Sequence, residues 1–175
     1  MKLWRCQICG DPYLGEEKPK NCPFCGAHER YLVLQEEFID RIGKVKELTE
    51  ASRKNLESAL ELEISNTKFY ACASKKSEAD EGKNLFKALS KIESEHAAII
   101  CKALGIPKPL IEDAEDLCTG DYQKNLRESH RREERATKHY GKFLSEAVEP
   151  RVQEIFSAVI AIEADHLSLS EERMK

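Results

Sequence analysis

The sequence predicts a mainly α protein, in which a small cysteine-rich module precedes a four-helix bundle of two helical hairpins joined by a long crossover. Three observations predict it: paired cysteines at the start, apolar residues at helical spacing from about residue 50, and an internal repeat. Charged residues make up 34% of the 175 residues, against eight glycines and six prolines, which favours helices over sheet. We expect the module at 1–35, a connector at 36–50 and the bundle at 51–175.

The first segment carries two CxxC pairs, Cys6/Cys9 and Cys22/Cys25, each followed directly by a glycine. Four thiolates at this spacing can surround one ion tetrahedrally, which suits zinc or a single iron. So small a module buries too little apolar surface to fold alone, so metal binding supplies most of its folding energy. The spacing does not separate redox iron from structural zinc. His28 is expected at the surface and not as a fifth ligand.

The connector predicts a short helix from Glu36 to Leu48, loosened at Gly43. Beyond it, two helical stripes of core positions have a glutamate at their centre, Glu63 in one and Glu133 in the other. Many identities recur between these stripes and the helices after them at a spacing of 70 residues, the spacing of Glu93 and Glu163 (163 − 93). An internal repeat of one helical hairpin explains this register.

Helix ends are also visible in the sequence. Gly105, followed by prolines, predicts the end of the second helix. Asp121 is a suitable N-cap for the third helix, and Pro150 suits the first turn of the fourth. The stretch between Gly105 and Gly120 is longer than a tight turn needs and predicts one long crossover.

The helices carry a set of six carboxylate and imidazole side chains at core positions. Glu93/His96 and Glu163/His166 are pairs three residues apart, so each pair shares a helix face. Four buried carboxylates repel one another, and two divalent ions balance their charge. We therefore predict a dinuclear site, of iron with manganese or zinc as alternatives, in which the glutamates of the two pairs bridge. Its ligands are Glu63, Glu93, His96, Glu133, Glu163 and His166.

Several neighbouring residues have two interpretations each. Tyr70 and Tyr140 lie two turns after Glu63 and Glu133. They suit hydrogen bonds to the ligands, and ordinary core tyrosines explain them equally well. His130 is expected to support the site or the core and not to bind metal. Glu95 and Asp165 could steady a facing imidazole, although exposure is the simpler interpretation. Cys72, Cys101 and Cys118 lack paired spacing, so packing is expected for them.

Charge and hydropathy exclude several functional classes. The net charge of −4 and the absence of a long basic run give no footprint for nucleic acid or an anionic membrane. No stretch approaches the roughly 20 apolar residues that span a bilayer. The N-terminus lacks the apolar stretch of a signal peptide, so we expect a cytoplasmic protein with reduced thiols and no disulfide framework.

As a set, these motifs resemble the rubrerythrins over nearly the whole chain. The resemblance rests on WRCQICG and NCPFCG, on Glu63-x6-Tyr70 and Glu133-x6-Tyr140, and on the two Glu-x-x-His pairs. It implies a ferritin-like di-iron bundle with a rubredoxin-like FeCys4 module. It also implies an oxidoreductase that reduces hydrogen peroxide to water for oxidative-stress protection. Electrons would come from NAD(P)H through a reductase or rubredoxin-type protein and the FeCys4 iron.

The chain departs from the usual family pattern in two places. The rubredoxin-like module is N-terminal, as in "reverse" members, and must approach a di-iron site, such as that of a partner subunit in a homodimer or higher homo-oligomer. Rubrerythrins also usually carry Glu-x-x-Glu on the third helix, whereas Ala136 occupies the second position here. This leaves ferroxidase, ferritin-like iron handling or di-iron oxidase behaviour as the alternative. A zinc-filled interaction scaffold is a third, non-enzymatic hypothesis.

Overall fold

In the computed structural model, which describes residues 1–174, the N-terminal module contains a three-stranded antiparallel sheet. Its strands are β1 (Lys2–Cys6), β2 (Pro12–Gly15) and β3 (Leu32–Leu34), in the order β2-β1-β3. Two 3-10 turns flank β3, at Glu29–Tyr31 and Gln35–Glu37. Because β1 is the central strand and ends at Cys6, the first cysteine pair lies at the end of this strand.

Four long helices form the rest of the described chain, and the mainly α fold class is confirmed. They are α1 (Glu50–Lys76), α2 (Asp80–Leu104), α3 (Tyr122–Glu146) and α4 (Pro150–Glu171). The predicted ends are confirmed: Gly105 caps α2 in the left-handed conformation, and the Asp121 side chain accepts a hydrogen bond from the Lys124 N–H at the start of α3. Pro150 is the first residue of α4.

The predicted helix in the connector is wrong. Between the 3-10 turn at Gln35–Glu37 and the start of α1 the chain has no helix. Gly43 and Glu47 both have positive φ angles, which a helix cannot contain. Contacts with α2 and the core hold the segment instead. The Val45 N–H donates to the Ala103 carbonyl at 2.9 Å, and the Val45 side chain packs on the apolar core.

Each hairpin packs internally, α1 on α2 and α3 on α4, and the hairpins meet chiefly through α1 and α3. The crossover lies against α1: the Lys76 ammonium donates to the Glu115 carbonyl, and Lys75 pairs with Asp113. A disulfide joins Cys72 of α1 to Cys118 of the crossover. The expectations that these two cysteines only pack and that their thiols stay reduced are therefore wrong, because the crossover brings together thiols 46 residues apart. Cys101 packs in the core as expected.

Candidate metal centres

The four paired cysteines converge between the sheet and the bundle. All four thiols are buried and free of disulfides, and the Sγ atoms lie within 4.8 Å of one another. Cys6 and Cys25 are 3.7 Å apart, and Cys9 and Cys22 are 3.8 Å apart. A tetrahedral ion with metal–sulfur bonds of about 2.3 Å requires sulfur–sulfur edges of about 3.8 Å. The four thiols therefore fit a single iron or zinc ion.

The glycine after each cysteine pair shapes the turn around the thiols. Gly10 and Gly26 have φ angles of +89° and +79°, a conformation that other residues rarely adopt. In the first knuckle, backbone N–H groups point at sulfur: Ile8 N–H lies 3.4 Å from Cys6 Sγ, and Asp11 N–H lies 3.4 Å from Cys9 Sγ. Such N–H···S bonds stabilise thiolates over thiols.

The six predicted ligands of the bundle also converge, and we define them as the carboxylate–imidazole cluster. They form two sets whose ligand atoms all lie within 4.8 Å of one another. Glu93 and Glu163 belong to both sets, as expected of bridging carboxylates. Glu63 and His96 complete one set, while Glu133 and His166 complete the other. Each helix contributes its share because the glutamates of α1 and α3 face the Glu-x-x-His pairs of α2 and α4.

Buried polar atoms of this cluster lack hydrogen-bond partners. They include both carboxylate oxygens of Glu93, one oxygen each of Glu63, Glu133 and Glu163, and Nδ1 of His96. Buried polar groups without partners are rare and cost free energy. Two bound cations would satisfy all of these atoms at once. The donor set of carboxylates and imidazoles suits iron, manganese or zinc, so the residues present fit a dinuclear metal centre.

Without metal, the cluster can balance its own charge by holding protons. Burial, together with the neighbouring Glu93 charge, raises the pKa of Glu63 well above its usual range, and burial with the Glu163 and Glu93 charges does the same for Glu133. Burial alone would lower the pKa values of the histidines. Contacts with the carboxylates outweigh it, raising the pKa of His166 to about 10 and that of His96 well above its usual value.

The two remaining glutamates keep their negative charge. Burial alone would raise the pKa values of Glu93 and Glu163, but the close imidazoles of His166 and His96 lower both below the usual value. The directions of these shifts favour two neutral carboxyls, two carboxylates and two imidazolium groups, which have a net charge of zero. Two divalent ions bound to fully deprotonated ligands give zero as well.

Two buried tyrosines bond to the cluster crosswise between the repeats. The Tyr70 hydroxyl on α1 donates to Glu133 on α3 and lies 2.8 Å from the Ser129 hydroxyl. The Tyr140 hydroxyl on α3 donates to Glu63 on α1. Since α1 and α3 run antiparallel, a tyrosine two turns after one glutamate reaches the glutamate of the other helix. The hydrogen-bonding interpretation of both tyrosines therefore agrees with the structure.

The cysteine site and the cluster are in direct contact within one chain. His96 Nε2 lies 2.9 Å from the backbone carbonyl of Cys25. Because this carbonyl can only accept, His96 donates from Nε2 and keeps Nδ1 directed at the carboxylates. The approach depends on Gly26, where a Cβ would come 3.0 Å from Ile162 and 3.8 Å from Ile92. The module therefore reaches the cluster of its own chain, and this contact needs no partner subunit.

Polar side chains of both segments hold the module on the bundle. Asp165, expected to be exposed, is half exposed and lies 2.7 Å from His28 Nε2 and 3.4 Å from the Asn21 side-chain nitrogen. His28 is thus a docking residue. No spacing signal could have revealed these contacts, because they join residues more than 130 positions apart. His130 contacts Ser170 outside the cluster, which agrees with its expected non-ligand role.

Comparison with known proteins gives matches in the same order as the two sites. The family model described as "Rubrerythrin, rubredoxin-like domain" matches residues 4–32, and the one described as "Rubrerythrin" matches residues 54–117. The chain belongs to the rubrerythrin family. Within it, a curated relative is "Reverse rubrerythrin-1" from Clostridium acetobutylicum, 26% identical over 114 residues. The match covers 60% of this chain and 63% of the relative, so the chain spans less than two thirds of that protein.

The family assignment agrees with both metal centres and with the domain order. The rubredoxin-like match includes all four cysteines, and the rubrerythrin match includes Glu63, Glu93 and His96. The module comes before the bundle in this chain, which agrees with the word "Reverse" in the name of the curated relative. In residues 1–174, no helix is long and apolar enough to cross a bilayer.

Proposed function

We propose that this rubrerythrin-family protein is a non-haem di-iron peroxidase that reduces hydrogen peroxide to water. The proposal is carried by one observation, the 2.9 Å hydrogen bond from His96 Nε2 to the Cys25 carbonyl. It connects a cysteine ligand of one centre to an imidazole of the other through covalent bonds and a single hydrogen bond. A structural zinc module has no need of such a connection, whereas an electron relay gains a short path between the two centres from it.

The chain's own residues define what happens around the metals. The four cysteines would hold one ion, and the carboxylate–imidazole cluster would hold two. As iron, those two ions would supply the two electrons that peroxide reduction requires. Tyr70 and Tyr140 hold Glu133 and Glu63 in place and keep their protons, because burial and the adjacent glutamate charges raise both tyrosine pKa values well above the usual range. Burial of the cluster excludes bulk water from the site.

Substrate, partners and location follow the same proposal. Hydrogen peroxide is the substrate, and a reductase or rubredoxin-type protein linked to NAD(P)H supplies electrons to the cysteine site. A homodimer or higher homo-oligomer and a cytoplasmic location stay predictions. So do the bounds of the module at 1–35, the connector at 36–50 and the bundle at 51–175.

The first experiment compares two oxidants on iron-loaded, fully reduced protein by stopped-flow spectroscopy. Peroxide should re-oxidise the protein much faster than dioxygen does, and the reverse order would overturn the proposal. Visible spectra of the native protein come first, because a ferric cysteine site is red and a zinc site is colourless. A colourless native protein would favour the zinc scaffold.

A second experiment tests the electron path itself with Gly26→Ala. An alanine Cβ would contact Ile162 at 3.0 Å, and the positive φ angle adds strain, so the second knuckle moves away from His96. Oxidation of the reduced cysteine iron by peroxide should slow at least tenfold, while the bundle iron reacts at its usual rate. Gly141→Ala is the matched control, since nothing lies within 4 Å of its added Cβ. Equal rates in both variants would contradict the relay.

Ferroxidase or oxidase behaviour is a second candidate, and Ala136 is the observation that favours it. This buried residue lies one turn after Glu133, where the family usually supplies a seventh carboxylate. The two candidates differ in turnover with iron and dioxygen. A peroxidase consumes peroxide with about three irons bound per chain, whereas an iron-handling protein accumulates many more irons as ferrous salt and dioxygen are added.

A further inference from the structure

Arg151, the second residue of α4, reaches from the bundle into the first cysteine knuckle. Its Nη1 donates to the Gln7 carbonyl at 2.8 Å, and its Nη2 donates to the Ile8 carbonyl at 2.7 Å. The side chain is only 12% exposed, so its charge is poorly screened by solvent. No feature of the sequence pairs this arginine with the first knuckle, whose carbonyls at Gln7 and Ile8 lie more than 140 positions away.

One of these contacts leads to a cysteine sulfur. The Gln7 carbonyl and the Ile8 N–H belong to the same peptide group, and that N–H donates to Cys6 Sγ at 3.4 Å. A cation at the carbonyl oxygen draws electron density from the peptide and makes its N–H a stronger donor. Arg151 is thereby linked to Cys6 Sγ by two hydrogen bonds through a single peptide group.

We propose that Arg151 is a positioning residue that raises the reduction potential of an iron held by the four cysteines, acting through the Gln7–Ile8 peptide. Four thiolates give a ferric site a net charge of −1 and a ferrous site −2, because one electron enters and no bond or proton changes. A stronger N–H···S bond and a nearby cation both stabilise the more negative ferrous form. The inference rests on the iron-containing cysteine site of the proposed function.

Of the other charges around the knuckle, Arg5 has a similar route to a different sulfur. Arg5 Nε donates to the Gly10 carbonyl at 2.8 Å, and the Asp11 N–H of that peptide donates to Cys9 Sγ at 3.4 Å. Lys102 and Arg41 have no such route. Lys102 Nζ donates to the Cys9 carbonyl at 3.1 Å, but the N–H of that peptide, on Gly10, donates to the Cys6 carbonyl and not to sulfur. Glu154 lies 2.7 Å from Arg151 Nη1, and Arg41 pairs with the second oxygen of Glu154 at 3.0 Å. Arg151 is the cation whose peptide route ends at Cys6 Sγ.

The test measures the midpoint potential of the cysteine site by spectroelectrochemistry on the full-length, iron-loaded protein. Arg151→Gln keeps a donor but loses the charge. Its ferrous-to-ferric ratio at a fixed potential should fall about tenfold, which for a one-electron couple is about 59 mV. Glu154→Gln removes the carboxylate that competes for Arg151, so its midpoint should move upward. Arg41→Gln is the matched control, because it removes an equal charge at Glu154 without touching a knuckle carbonyl.

A second readout follows the peptide directly. In zinc-loaded protein, the Ile8 amide proton should move upfield in Arg151→Gln, as expected of a weaker N–H···S bond, and stay unchanged in Arg41→Gln. An unchanged midpoint in Arg151→Gln, or an equal fall in Arg41→Gln, would overturn the inference. If Arg151→Gln fails to retain metal, an unchanged midpoint in Glu154→Gln overturns it instead. These potentials are measurable whether or not peroxide oxidises the bundle iron, so the inference and the proposed function can fail separately.

Discussion

Loading the metal-free cluster with two divalent ions should release four protons per chain at pH 7. Glu63 and Glu133 each hold one, because burial and neighbouring glutamates raise their pKa values well above the usual range. His96 and His166 each hold one more, because the carboxylates around them raise their pKa values despite burial. Metal ligands must be deprotonated, so all four protons leave. Glu93 and Glu163 are already ionised and release none.

The assay is calorimetric titration of manganese into protein whose cysteine site already holds zinc, carried out in two buffers of different ionisation enthalpy. The difference in heat gives the number of protons released. Linkage then requires the product of the two association constants to rise about 10,000-fold per pH unit near neutrality. Glu63→Gln should release three protons and bind more weakly. Release of two protons or fewer by the unmodified chain would refute the charge distribution derived for the cluster.

The same pKa shifts determine how the metal-free fold responds to pH. Folding raises the pKa of His166 from 6.5 to about 10, so its stabilisation is complete below pH 6.5 and is lost as the pH rises through 10. Glu63 and Glu133 act in the same direction because folding raises their pKa values too. Urea midpoints of metal-free protein should fall between pH 6.5 and 10, and His166→Gln should flatten this slope. A midpoint that rises with pH would contradict the shifts.

Three further substitutions test other parts of the structure. Cys72→Ser removes the disulfide, which joins residues 46 positions apart and so restricts the unfolded chain. The free energy of unfolding in urea should therefore fall by about 4 kcal/mol. Reductant should cause the same loss in the unmodified chain and none in the variant. Tyr140→Phe removes a donor from buried Glu63 and should cost about 2 kcal/mol in manganese-loaded protein, and no loss would contradict the hydrogen bond. Ala136→Glu buries a fifth carboxylate, so metal-free protein should lose more than about 2 kcal/mol. In stopped-flow measurements with iron, this variant should shift reactivity towards peroxide, and a shift towards dioxygen would count against the missing ligand as the cause.

Local chemistry made much of this protein predictable from the sequence alone. The CxxC spacing identified a tetrahedral metal site, because two cysteines three residues apart can bind one ion only in a tight turn. Helical periodicity and the 70-residue repeat placed Glu63, Glu133 and the two Glu-x-x-His pairs on core faces. Capping chemistry located the ends of α2, α3 and α4. Each of these signals lies within a few residues or within one repeated hairpin.

Tertiary structure decided the contacts between distant segments. The hydrogen bond from His96 to Cys25, the docking of His28 on Asp165 and the Cys72–Cys118 disulfide join residues with no spacing relation. The connector formed no helix because contact with α2 outweighed its weak local preference. The sequence by itself determined which side chains can bind metals, since ligand chemistry and helical period are local. Only the packing of the module on the bundle decided that the two metal centres meet within one chain.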